Sequence, residues 1–194
     1  MYVRRRRGTF SIGLLLGVLG MLAWQYWRSA QQNSTSGMPP DETAFVKILT
    51  QSRTSWLSAP NDVARQGMRQ ARAAALCKAD TQLLSSSWRG RIVSVSPNSL
   101  PDLAGKQTAT IVIALTSDIS VATPNLPLLN NPASMVQAGT PLYQTAATLR
   151  AGQWVKFSGQ FSAGADCVDE ESYTLNGGMT EPRLKISLTD LAAD

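Results

Sequence analysis

The feature that most limits what this chain can become is the segment 10–27. It holds 18 residues of which only Ser11 and Gln25 are plainly polar, just behind Arg4, Arg5, Arg6 and Arg7. As a helix rising about 1.5 Å per residue it would be about 27 Å long, close to the thickness of a bilayer's hydrocarbon core. Such a segment is expected to span a membrane and to leave the rest of the chain to build the globule. Trp24, Tyr26 and Trp27 gather at its C-terminal end, where amphipathic rings favour the headgroup region. The arginine excess assigns the tail 1–9 to the cytoplasm, so everything after residue 27 is expected on the far side. A cleaved signal peptide shares the basic start and apolar middle. Here neither Trp24-Gln25-Tyr26-Trp27 nor Arg28-Ser29-Ala30 supplies a small-x-small cleavage site. Gly13, Gly17 and Gly20 share a side of the expected helix and are its candidate contact residues, the first two at the spacing that lets backbones approach. Glycine is also common in membrane helices without that role.

Charge follows the same division. The 194 residues carry 18 basic and 13 acidic side chains, and setting aside Arg4 to Arg7 and Arg28 leaves 13 of each. The globular part is neutral, so the high isoelectric point belongs to the tail and no nucleic-acid partner is expected from it. Residues 28–40 have the Ser/Gly/Pro composition of a flexible tether. The remaining stretch of about 150 residues is enough for one domain with a real core.

That domain should begin with a helical hairpin over 41–84. Asp41 can cap the first helix, with Glu42 in its first turn, and Phe45, Ile48, Leu49 and Trp56 fall on one face. After the Ser58-Ala59-Pro60-Asn61 break, Ala64, Met68, Ala71 and Ala75 form the apolar stripe of a second helix. Arg65, Arg69 and Arg72 make a basic row on it, which reads as a solvated face, the alternative being a grip on a phosphate or an acidic partner.

From Trp88 the period changes to that of strands, and residues 85–194 are expected to form the β domain. Trp88 to Ser96 reads as a strand with a bulge at Gly90. Asp102, Gly105 and Lys106 supply a turn, and Thr108 to Leu115 is β-branched enough for a central strand. Regularity fails over 118–142, where a long proline-rich loop carrying Leu126, Leu128, Leu129, Met135 and Val136 is expected as a lid or a docking loop. In 149–161, Val155, Phe157 and Phe161 alternate with Lys156, Ser158 and Gln160, while Trp154 sits on the outward side and Gly159 marks a bend. Ser172 to Leu175 reads as a strand, Asn176-Gly177-Gly178 as a turn, and Leu184, Ile186 and Leu188 as a closing strand.

Chemistry is bounded mainly by composition. The chain has no histidine, which excludes Ser-His-Asp and Cys-His nucleophile systems and histidine-bound zinc. It has neither a P-loop nor a dinucleotide GxGxxG, and no cofactor is expected. Asp166, Asp169, Glu170 and Glu171 surround Cys167 and offer oxygen ligands, but their spacing fits no EF-hand, so they read as a solvated loop and not a metal site. An enzyme is not expected, and no residue stands out as catalytic. The two cysteines, Cys77 and Cys167, are expected to form a disulfide outside the cytoplasm, the alternative being two buried thiols.

The run Trp88-Arg89-Gly90-Arg91-Ile92-Val93-Ser94-Val95, a second strand after the Gly105 turn, and Leu149-x-x-Gly152-x-x-Val155-x-Phe157-x-Gly159 together resemble the OB-fold, in particular the tRNA-anti-like group of bacterial OB proteins, over residues 88–191. The resemblance implies an α+β protein with a five-stranded Greek-key barrel and, with the anchor, a place on the periplasmic side of a bacterial inner membrane. Two functions are consistent with this. One is an accessory or scaffold subunit that contacts an envelope protein, or a second copy of itself, through the 118–142 loop. The other is a module recognising an envelope saccharide or another polymer through Trp154. Deleting 118–142 and crosslinking in membranes, against glycan binding by Trp154→Ala, would separate them.

Overall fold

The computed structural model describes residues 37–79, 84–126, 134–172 and 174–194. Its residues from Gly37 onward form one compact unit. The expected span 10–27, with Gly13, Gly17 and Gly20, lies outside the described residues, and among these no helix is long and apolar enough to cross a membrane.

The architecture is α+β, built on a closed five-stranded barrel. The strands are β1 (Leu84–Pro97), β2 (Thr108–Ala114), β3 (Ser120–Ala122), β4 (Val136–Gln137), β5 (Trp154–Phe161) and β6 (Arg183–Ala193). Pairing runs β1-β2-β3-β6-β5 and returns to β1; β3 and β6 are parallel, and β4 adds to the free end of β2. Closure leaves none of the five barrel strands with an open edge. A small barrel needs strongly coiled strands, and the irregularities fall where coiling is required. β1 is bulged between Ser85 and Trp88 against β5 and between Ile92 and Ser94 against β2. Gly90 is therefore not itself the bulge; it faces Ile113 so closely that a side chain would collide with it. Gly159 is a true bend: the β5–β6 register slips between Ser158 and Gly159, and a Cβ there would stand 2.5 Å from the Ser187 carbonyl oxygen.

Helix α1 (Pro40–Ser58) and helix α2 (Asp62–Lys78) form the expected hairpin. The N-cap of α1 is Pro39 and not Asp41; the Asp41 carboxylate instead accepts the Trp88 indole N–H at 2.6 Å. Phe45 plugs the barrel, packing at ring-centroid distances of 5.2 Å on Trp88 and 5.0 Å on Phe161. Burial of such rings, at about 25 cal/mol per Å² of apolar surface, dominates the core, which continues through Ile92, Ile111, Val121, Phe157, Leu184 and Ile186.

Three expectations are corrected. The segment 118–142 is not a loop laid over the barrel. It contains β3, whose Val121 is fully buried, and β4, and it runs into helix α3 (Pro141–Thr148), which Thr140 caps by accepting the Tyr143 N–H. β3 is only three residues long, too short to show a period in the sequence. Leu175 is not in a strand: Thr174 accepts the Gly177 N–H and starts helix α4 (Leu175–Thr180), which absorbs the Asn176-Gly177-Gly178 turn. Lastly, the fully buried positions of α2 are Arg72 and Leu76, while Ala64, Met68 and Ala75 of the expected stripe are only half-buried and Ala71 is exposed.

Candidate functional site

The arginine row of α2 faces the acidic loop. Asn61 caps the helix by accepting the Ala64 N–H, which sets the rotation of the first turn. Arg69 then meets Asp166, with 2.7 Å between Nη2 and Oδ2, and Arg72 pairs with Glu170 while donating to the Gly178 carbonyl at 2.6 Å. Arg72 is only 3 % exposed. Burial pushes the Glu170 carboxyl above its ordinary pKa, against the Arg72 charge that lowers it. Of the row and the loop, both expected to be solvated, Arg72 and Glu170 desolvate each other because each supplies the opposite charge, while Arg65 pairs with Asp62 within its own helix. Lys185 closes the set on Asp169 at 2.7 Å.

The Cys77–Cys167 disulfide fastens the same junction, with Cα atoms 5.4 Å apart. Cys167 adopts φ +72°, a left-handed conformation uncommon for a residue with a Cβ. Beside it a cleft of about 320 Å³ is bounded by Arg69, Arg72, Asp166, Glu170, Ser172 and Gly178. Its arginines pair with carboxylates, and the carboxylates, hydroxyls and main-chain groups around them make up its polar lining. Among the described residues no group of three Cys, Asp or Glu side chains converges as a metal site.

A second surface lies on the outer wall where β1 pairs with β5. The register sets Arg91 opposite Trp154 and Arg89 opposite Lys156, all outward because Trp88, Gly90, Ile92, Val155 and Phe157 fill the inward positions. Trp154 is 42 % exposed, and the Arg89 guanidinium lies 5.0 Å from the centre of its ring. Arg89 and Lys156 converge on Asp194, and the Lys156 hydrogen bond is the main influence holding that carboxyl below its usual range. Arg91 forms no ion pair among the described residues. The sequence singled out Trp154 but missed Arg89 and Arg91, whose place beside it depends on the β1–β5 register.

A third feature escaped sequence reading. Glu42 is fully buried; its Oε2 accepts the Arg89 backbone N–H at 2.9 Å, and its Oε1 has no partner. Burial raises its carboxyl from 4.5 to about 7.

Of the loop residues expected to dock a partner, Leu126 is 53 % exposed, but Met135 is only 7 % exposed and belongs to the interior beside β4. Leu128 and Leu129 lie outside the described residues. No family model, no curated protein and no solved structure matches this chain.

Proposed function

We propose that the chain is a single-pass membrane-anchored module whose OB-like barrel stands on the periplasmic side of a bacterial inner membrane and serves as an accessory or scaffold subunit through protein contacts. The observation that carries the reading is the Cys77–Cys167 bridge. Disulfides persist in oxidising compartments and are rare in the cytoplasm, which agrees with the side assigned by the arginine tail. The OB-like reading is supported by the strand order, with its parallel β3–β6 pair and helix α3 between β3 and β5. Likeness to the tRNA-anti-like group in particular rests on the sequence motifs of residues 88–191.

A scaffold reading is favoured over saccharide recognition by two features of the surfaces. The junction of hairpin and barrel is locked by a disulfide and two ion pairs, which suits a rigid platform. One face of the Trp154 ring already carries Arg89, leaving only the other for a sugar to stack on.

The test is crosslinking in intact cells followed by isolation from membranes. Because 118–142 contributes β3 and β4, the variant of choice is Leu126→Asp with 127–133 replaced by Gly/Ser, and not a deletion. A stoichiometric protein partner that the variant loses is the expected result. Recovery of the chain from the soluble fraction with both cysteines alkylatable, or no crosslinked partner at all, would refute the reading.

A further inference from the structure

We infer that the outer wall of the β1–β5 pair is a docking surface for anionic lipid headgroups, carried by Trp154, Arg91, Lys156 and Arg89. The inference rests on the anchored reading proposed above. Three observations lead to it.

The first is where the described chain begins. Gly37 packs against Arg89 so closely that a Cβ at Gly37 would stand 2.7 Å from Nη1. The chain therefore enters the domain at this wall. The nine residues 28–36, between the expected span and Gly37, can reach at most about 30 Å. On the anchored reading, the tether joins the domain at a point beside Arg89.

The second is composition. An exposed tryptophan favours the headgroup region, where its ring is half apolar and its N–H stays wet. Arg91 stands directly opposite it with no ion pair among the described residues. Arg89 and Lys156 both pair with the side-chain carboxylate of Asp194, so Arg91 is the cation of this wall that no acid among the described residues engages. Asp190, across from Ser158 one step along the strands, marks the acidic limit of the patch.

The third is geometry. The four side chains project from two adjacent paired strands, at positions that alternate with the core, so they form one continuous face and are held by a barrel that cannot fold them away. Anionic phosphates meet Arg91 and Lys156 as charge partners, while Trp154 enters between headgroups. Each cation close to an anionic surface strengthens binding about fivefold.

The test is hydroxyl-radical footprinting, resolved by residue, on the full chain in nanodiscs of phosphatidylcholine alone and in discs carrying about one phosphatidylglycerol in four lipids. Trp154 should be oxidised several-fold more slowly in the anionic discs, while Val63 at the hairpin tip, 82 % exposed, is oxidised equally in both. Arg91→Glu should abolish the protection while leaving the disulfide formed, and about 0.5 M salt should weaken it. Equal oxidation of Trp154 in both discs, or protection that survives Arg91→Glu, overturns the inference. Alkaline carbonate extraction of the same samples reports the anchor separately: a chain that resists extraction but shows no protection sinks the docking surface alone, and a chain that is extracted sinks the anchored reading.

Discussion

Glu42 makes the domain's stability depend on pH in a direction opposite to that of ordinary salt-bridged acids. Its carboxyl is fully buried at the start of α1, with one oxygen bonded to the Arg89 N–H and the other unpartnered. Burial is the largest influence on it, followed by the stabilising Arg89 N–H, then repulsion from Asp41 and attraction to the Arg89 charge. Together these raise its pKa from 4.5 to about 7. The folded state therefore holds a proton that the unfolded chain has released. Between those two values stability falls as pH rises; the contribution is complete below 4.5 and is lost through about 7. At about 1.36 kcal/mol per pH unit, the interval amounts to about 3 kcal/mol. The assay is urea unfolding of the full chain in detergent, followed by tryptophan fluorescence, from pH 4 to 9, for wild type and Glu42→Gln. Glu170 and Glu171 are also raised by burial and slope the same way, so the informative quantity is the difference between the two curves. That difference should change by about 3 kcal/mol between pH 4.5 and 8 and then level off. The amide leaves a buried N–H2 near the site of the unpartnered oxygen, which costs about 1–3 kcal/mol at every pH and shifts the curve without tilting it. Parallel curves would refute the reasoning, as would a difference of opposite sign.

Other perturbations have equally definite outcomes. Cys77→Ser with Cys167→Ser opens a loop with a sequence separation of 90 and should cost about 4–5 kcal/mol on chain-entropy grounds, read as a lower urea midpoint; on non-reducing gels the wild type should migrate faster than its reduced form. Arg72→Ala strands Glu170 beside its cleft and should destabilise by about 3–5 kcal/mol, whereas Arg72→Met with Glu170→Leu should recover most of that loss; equal destabilisation by both would show that the pair is not desolvated as described. Gly159→Ala drives a methyl against the Ser187 carbonyl and the Ile186 side chain, and should cost about 1–3 kcal/mol by thermal unfolding, while Gly67→Ala, with open space around it, should be neutral or slightly stabilising. Trp154→Ala should leave the thermal midpoint within a degree or two of wild type, because its ring lies outside the core and an exposed cation–π contact is worth about 0.5–1 kcal/mol.

Local pattern was enough to read much of the domain. The period-2 alternation of residues 154–161 appears as the burial of every second residue in β5, and Trp154 stands on the outward side as its place in that alternation requires. The bend at Gly159 and the hairpin of α1 and α2 were legible for the same reason: a missing Cβ and a 3.6-residue stripe both act over a few residues. Arg72 shows where such reading stops. Its stripe placed it on a water-facing row, but the helix rotates to bury it, because a carboxylate 98 residues away supplies its counter-charge. β3 was hidden in a proline-rich stretch since a three-residue strand has no period and gains its stability from the barrel on both sides.

What the sequence alone determined is therefore whatever a few neighbouring residues decide: which segments are helix or strand, where the barrel strand bends, which side of β5 meets water, and the absence of histidine chemistry. Tertiary structure alone decided the pairing of Arg69 and Arg72 with the acidic loop, the strip of Arg89, Arg91, Trp154 and Lys156, and the shifted acidity of Glu42. Each of these depends on which distant residue is brought close and how much water the contact removes. Desolvation and register are properties of the closed barrel, and no stretch of the chain carries them by itself.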